Sequence, residues 1–152
     1  MAWSTSNGNA AYTYVMGGAS VAPASDSFKV ALFGASVTPV QSASVSVTEY
    51  AGAGSTWNTA NEVSSANYVA GGTAVTPISW TQGTNVITFT SSGSPAWTNV
   101  TFSTYGGLVY DVTNTHYTNL GIAWAYFGGQ QLVTSGNFNV NWNASGIVTF
   151  TH

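Results

Sequence analysis

Four carboxylates, one lysine and two histidines are the only side chains here that could carry acid–base or metal chemistry near neutral pH. They are Asp26, Lys29, Glu49, Glu62, Asp111, His116 and His152. Two carboxyl groups held about 5–10 Å apart can hydrolyse a glycoside, one as acid and the other as base or nucleophile. Glu49 and Glu62 flank a turn-rich stretch and are the pair whose spacing lets them face each other. The competing reading places Glu49 at the end of a strand, where a charge blunts edge-to-edge pairing. Asp111 interrupts the apolar run Leu108–Val112, which predicts a buried or bridged charge, with Lys29 available as its partner. His116 lies in a polar run and His152 is the last residue. A zinc site needs three or four ligands at defined spacing, and there is no cysteine, so neither a metal site nor a cofactor is expected. Ser, His and Asp are all present, but no Gly-x-Ser-x-Gly elbow is. No catalytic residue is assigned.

Charged residues make up 3% of the chain, against about 25% in an ordinary soluble domain. One lysine cannot supply the basic footprint that a nucleic-acid partner requires, and an anionic membrane surface is disfavoured for the same reason. No apolar run approaches the ~20 residues of a membrane-spanning helix. The N-terminus lacks the basic and apolar regions of a secretory signal. A surface this poor in charge invites association, so the composition suits a part of an assembly.

The elements that position these residues read as strands. The apolar fraction is 44% and the aromatic fraction 14%, enough for a core, and β-branched and aromatic residues dominate. Phe28–Phe33 is an apolar run. Ser44–Tyr50 alternates. Tyr68-Val69-Ala70 leads into a turn at Gly71-Gly72, and Thr73–Trp80 is extended, with Pro77 placing it at an edge. Val86–Thr90, Trp97–Phe102, Leu108–Val112, Leu120–Phe127, Asn137–Asn143 and Ile147–His152 follow, with Gly106-Gly107 and Gly128-Gly129 read as breaks. In Asn137–Asn143 the apolar Phe138, Val140 and Trp142 alternate with four asparagines. Gly121, Ala123 and Ala125 leave room for another layer to approach. The expectation is an all-β fold: an antiparallel β-sandwich or jelly-roll-like barrel of about eight or nine strands. Residues 28–152 form this domain, and residues 1–27, rich in Gly, Ala and Ser, form an extended N-terminal arm.

Tryptophans have two readings. Trp97, Trp124 and Trp142 fall inside alternating strands and are expected in the core. Trp3 and Trp57 fall in Gly/Ser-rich stretches. With Tyr12 and Tyr14 of the arm, they are the candidate subunit contacts, because aromatics are enriched at interfaces. Exposed aromatics also stack on sugar rings, which keeps a lectin-like role open.

The ordered motifs Phe28–Phe33, Gly83–Phe89, Trp97–Phe102, Leu108–Asp111, Tyr126–Gly129 and Ser135–Ile147 resemble a group of small virion structural proteins of tailed bacteriophages. The resemblance spans about four fifths of the chain, and its most specific part is the end, Ser135–Ile147. It departs at the start, where relatives often open with a helical stretch and residues 4–27 do not. It implies a non-enzymatic virion protein with no catalytic residues to carry over. Together with the neutral composition, it leads to a capsid cement or decoration protein on the head exterior, made in the host cytoplasm. Its partners would be the major capsid protein and other copies of itself, as trimers, without nucleic acid or membrane. The alternative is a tail or fibre component that recognises host glycans.

Overall fold

The computed structural model describes residues 26–39, 49–84, 86–114 and 117–151, all as strand, turn or extended chain with no helix. The expected strand Ser44–Tyr50 lies outside these residues up to position 48, and so does the expected arm up to position 25. Seven strands are described: β1 (Phe28–Phe33), β2 (Thr73–Ala74), β3 (Ile78–Gly83), β4 (Val86–Ser91), β5 (Ala96–Asp111), β6 (Leu120–Asn139) and β7 (Val148–Thr151). They form two open antiparallel sheets, β2-β1-β5-β6 and β3-β4-β7, and not a closed barrel.

Two expected strand pairs are single long strands. Trp97–Phe102 and Leu108–Val112 are both parts of β5, and Leu120–Phe127 and the start of Asn137–Asn143 are both parts of β6. The glycine pairs between them bend the chain without ending it. A Cβ on Gly107 would stand 3.1 Å from Ala31 O, so glycine there lets β5 lie close against β1. Gly128 and Gly129 have φ of 81° and 153°. Opposite them the register passes from Thr104↔Gln131 to Gly106↔Tyr126. The extra β6 residues are therefore taken up as a bulge.

Around β1 the four-stranded sheet is buried on both faces. From β1, Phe28, Val30 and Leu32 join Phe89 of β4 and Val148 of β7 in a core shared by the two sheets. The Phe28 and Phe89 rings meet at 5.0 Å. Ala31 and Phe33 point the other way, into a second cluster with Tyr50, Trp57, Leu108, Tyr110 and Trp124. Double burial explains why β1 reads as a continuous apolar run and not as an alternating one. The cover over the second face is irregular chain, residues 49–63. It is tied down by Val63 N–H to Leu32 O (3.0 Å), Gly34 N–H to Asn61 O (3.2 Å) and Tyr50 N–H to Asn119 O (3.0 Å).

Candidate functional site

The densest polar constellation surrounds Glu62. A bridge between Glu62 and Phe33 lays this residue alongside the end of β1, and its side chain turns inward, 8% exposed. Tyr50 Oη donates to Glu62 Oε2 at 2.8 Å and Tyr68 Oη to Oε1 at 2.5 Å. Gly71 N–H reaches both oxygens, at 2.9 and 3.1 Å. Tyr68 Oη also accepts from Leu32 N–H (2.9 Å), and Tyr110 Oη donates to Gly71 O (2.7 Å). Tyr50 and Tyr110 stack with centroids 4.7 Å apart. Burial first, and then the hydrogen bond to Glu62 for Tyr50 and Tyr68 and the charge of Glu62 for Tyr110, push all three hydroxyl pKa values well above the ordinary range.

The turn at Gly71-Gly72 makes this closure possible. Gly72 has φ 70°, and a Cβ there would stand 1.8 Å from Val30 O. Only glycine brings the chain this close to β1 and still aims the Gly71 amide at Glu62. A buried carboxyl with three protein donors is a satisfied structural group. It knots the 49–63 cover, the 68–72 turn, β1 and β5 together. Glu49 stays at the surface side of its turn, where Gly52 N–H bonds its carbonyl (3.3 Å), and burial raises its carboxyl pKa. The donors on Glu62 are two tyrosines and a backbone amide.

Asp111 ends β5 and has no exposed surface. Its Oδ1 accepts from Thr113 N–H (2.8 Å) and Thr113 Oγ1 (2.9 Å). Its Oδ2 is buried without a hydrogen-bond donor among the described residues, and the carboxyl of Asp26 faces it. Burial raises the Asp111 pKa most; Asp26 adds to the rise and the Thr113 bonds oppose it. The expected burial is found. The expected Lys29 partner is not: Lys29 lies across from Tyr110 and Ala74 in the sheet. The neighbours of Asp111 are Thr113 and a second carboxyl.

Trp57 corrects another expectation. Its stretch is irregular, but its ring is 3% exposed. It packs edge-on against Phe33 at 5.0 Å and stacks on Trp124 at 6.3 Å. It anchors the cover and offers no contact surface. Trp3, Tyr12 and Tyr14 lie outside the described residues, as do His116 and His152. Trp97 and Trp124 are core residues, as expected, at 5% and 3% exposure.

Trp142, expected in the core, is only half-buried and is one of the residues lining a cavity of about 230 Å³. Val109, Ala123, Ala125 and Phe127 line one side of it, and the connection from Val140 to Ile147 lines the other. The small residues Ala123 and Ala125 leave this space. The indole N–H of Trp142 is buried and has no acceptor among the described residues, a defect that costs about 1–3 kcal/mol.

Among the described residues no group of three or more His, Cys, Asp or Glu could hold a metal ion, and no helix is long and apolar enough to cross a membrane. No protein-family model, curated protein or solved structure matches the chain.

The tyrosines around Glu62 were not legible in the sequence. Tyr50, Tyr68 and Tyr110 are far apart along the chain, and each stands in an ordinary strand or turn context. The usable signals were an acidic residue beside an apolar one, Glu62-Val63, and the doubled glycine at 71–72.

Proposed function

We propose that the chain is a bacteriophage virion structural protein, a cement or decoration protein whose β-sandwich domain seats on the outer head lattice and bridges neighbouring capsid subunits. One observation carries this reading: no formally charged side chain is fully exposed. Glu62 and Asp111 are buried, and Asp26, Lys29 and Glu49 are partly covered. A neutral exterior suits a protein whose surface is meant to be covered by partners.

The long edge strand supports it further. β6 has 20 residues and no charge, and among the described residues it pairs only with β5. Proteins that stay apart usually guard such an edge with lysine or proline. Leu132, near its middle, is 72% exposed. An uncharged edge of this length can accept contacts from the lattice or from a second copy. A standard interface of about 1,600 Å² suffices for stable attachment, and trimeric clustering would add avidity without new contact types.

The test is to mix purified protein with expanded, undecorated heads and to follow co-sedimentation at low and high salt. Saturable binding that persists at high salt is expected, because contacts without ion pairs are little screened. Absence of binding at both salt levels would contradict the reading.

A further inference from the structure

We propose that Trp97, Tyr68 and Glu62 form a one-electron relay: an oxidised Trp97 is repaired by an electron from Tyr68 while the Tyr68 proton passes to Glu62. The inference rests on the Glu62 cluster and is independent of attachment to a head.

Three observations select these residues. First, the chain has no cysteine, so one-electron oxidants meet its six tryptophans and eight tyrosines instead of a thiol. Second, Tyr68 stacks on Trp97, with ring centroids 5.7 Å apart and planes 26° from parallel. Contact of this kind couples the two ring systems directly. Third, Tyr68 Oη donates to Glu62 Oε1 at 2.5 Å, close enough for a proton to pass between the oxygens. A phenol that loses an electron becomes a strong acid, so it gives up that electron readily only where a base stands at its hydroxyl. Tyr110 lacks such a base, because its hydroxyl donates to the carbonyl of Gly71. Tyr50 has one in Glu62 Oε2, but it stacks on Tyr110 and not on an indole. Of the three tyrosines, Tyr68 is the one that joins a stacked indole to a carboxylate.

The charges and protons balance. A diffusing one-electron oxidant takes an electron from the Trp97 indole and leaves its radical cation. One electron then moves from the Tyr68 ring to Trp97, and one proton moves from Tyr68 Oη to Glu62 Oε1. Trp97 is restored, Tyr68 becomes a neutral phenoxyl radical, and the Glu62 carboxylate becomes a neutral acid. One electron from a reductant of the thiol or ascorbate class returns the proton to Tyr68 and resets the site.

The surroundings suit this exchange. Tyr68 is 8% exposed, so its radical is kept from coupling with another chain. In the resting state burial, and then the bond to Glu62, hold the proton on Tyr68 Oη, so it leaves only when the ring loses an electron. After transfer, Leu32 N–H still bonds the Tyr68 oxygen, Glu62 O–H donates to it in turn, and Gly71 N–H still holds the carboxyl. No polar group in the knot is left without a partner, which keeps the cost of moving the proton low.

The experiment is pulse radiolysis of the full chain at neutral pH, with the azide radical as oxidant and the tryptophan and tyrosine radicals followed by their absorbance. The expected result is a fast decay of tryptophan radical, independent of protein concentration and matched by growth of tyrosine radical. Tyr68→Phe and Trp97→Phe should each lose this phase, and Tyr110→Phe should keep it. Glu62→Gln should slow it about a hundredfold, the lower end of what a positioned proton acceptor contributes. If Glu62→Gln does not fold, the parent chain fully exchanged into heavy water carries the test, with the phase slower than in ordinary water. The proposal is overturned if the parent shows no such phase, or if a folded Tyr68→Phe or Trp97→Phe keeps it at the parental rate. It is also overturned if Tyr110→Phe abolishes the phase, if a folded Glu62→Gln transfers as fast as the parent, or if heavy water leaves the rate unchanged. Co-sedimentation with heads reports separately on the virion role.

Discussion

The backbone N–H of Gly71 is shared between the two carboxyl oxygens of Glu62, at 2.9 and 3.1 Å. This places a turn amide, two phenols and an acid in one buried knot, with no charged partner. Glu62→Gln replaces one acceptor oxygen by a donor that faces either a tyrosine hydroxyl or the Gly71 amide. The expected loss is about 2–4 kcal/mol of folding stability, read by urea unfolding. An unchanged midpoint would show that the knot does not support the fold.

The same knot governs behaviour in alkali. Tyr50, Tyr68 and Tyr110 have hydroxyl pKa values raised above the ordinary 10.0. A group that holds its proton more tightly when folded stabilises the fold below its unfolded pKa, and that stability is lost as pH rises through the folded value. Stability should therefore decline from about pH 10 upward, and these three tyrosines should ionise together with unfolding. Tyrosinate absorbance and circular dichroism, followed through one pH titration, check this coincidence.

Asp111 works against the fold at neutral pH. Its raised pKa means that the native state favours the protonated form, so the stability it contributes is greatest below the ordinary value of 3.8 and falls as pH rises through the folded value. Asp111→Asn keeps an acceptor for Thr113 and gives the Oδ2 position a donor towards Asp26. The variant should be more stable by about 1–2 kcal/mol at neutral pH, and the gain should vanish in acid. Thermal melts across the pH range measure both.

Trp57→Ala removes the ring that joins the 49–63 cover to Phe33 and Trp124. A buried aromatic truncated to alanine costs about 3–5 kcal/mol, and a loss of that size is expected in chemical unfolding. A near-neutral effect would restore Trp57 as a surface residue.

These side chains mark what sequence pattern reveals and what it hides. The all-β class was legible because alternation and β-branched composition act locally, and Val140 and the flanking asparagines show it in their burial. Strand length was not: Gly106-Gly107 and Gly128-Gly129 look like turns, whereas long-range pairing with β1 and between β5 and β6 resumes on both sides of them and leaves a bulge in place of a break. The burial of Asp111 was foreseen from its apolar neighbours, but its partner depended on where Ser27 and Asp26 meet the end of β5, where Val112 N–H bonds Ser27 O at 2.9 Å. Trp57 was misplaced because small neighbours suggest a loose loop. Here the loop is a lid over a hydrophobic face, and Trp57 is buried in it beside Tyr50.

The central claim, a neutral β-domain that decorates a phage head, is tested most directly by an electron-microscopy map of the intact virion encoded with this chain. The account predicts density for the two-sheet domain on the outer head surface, contacting more than one capsid subunit. Density for it only at the tail, or nowhere on the particle, would contradict the account.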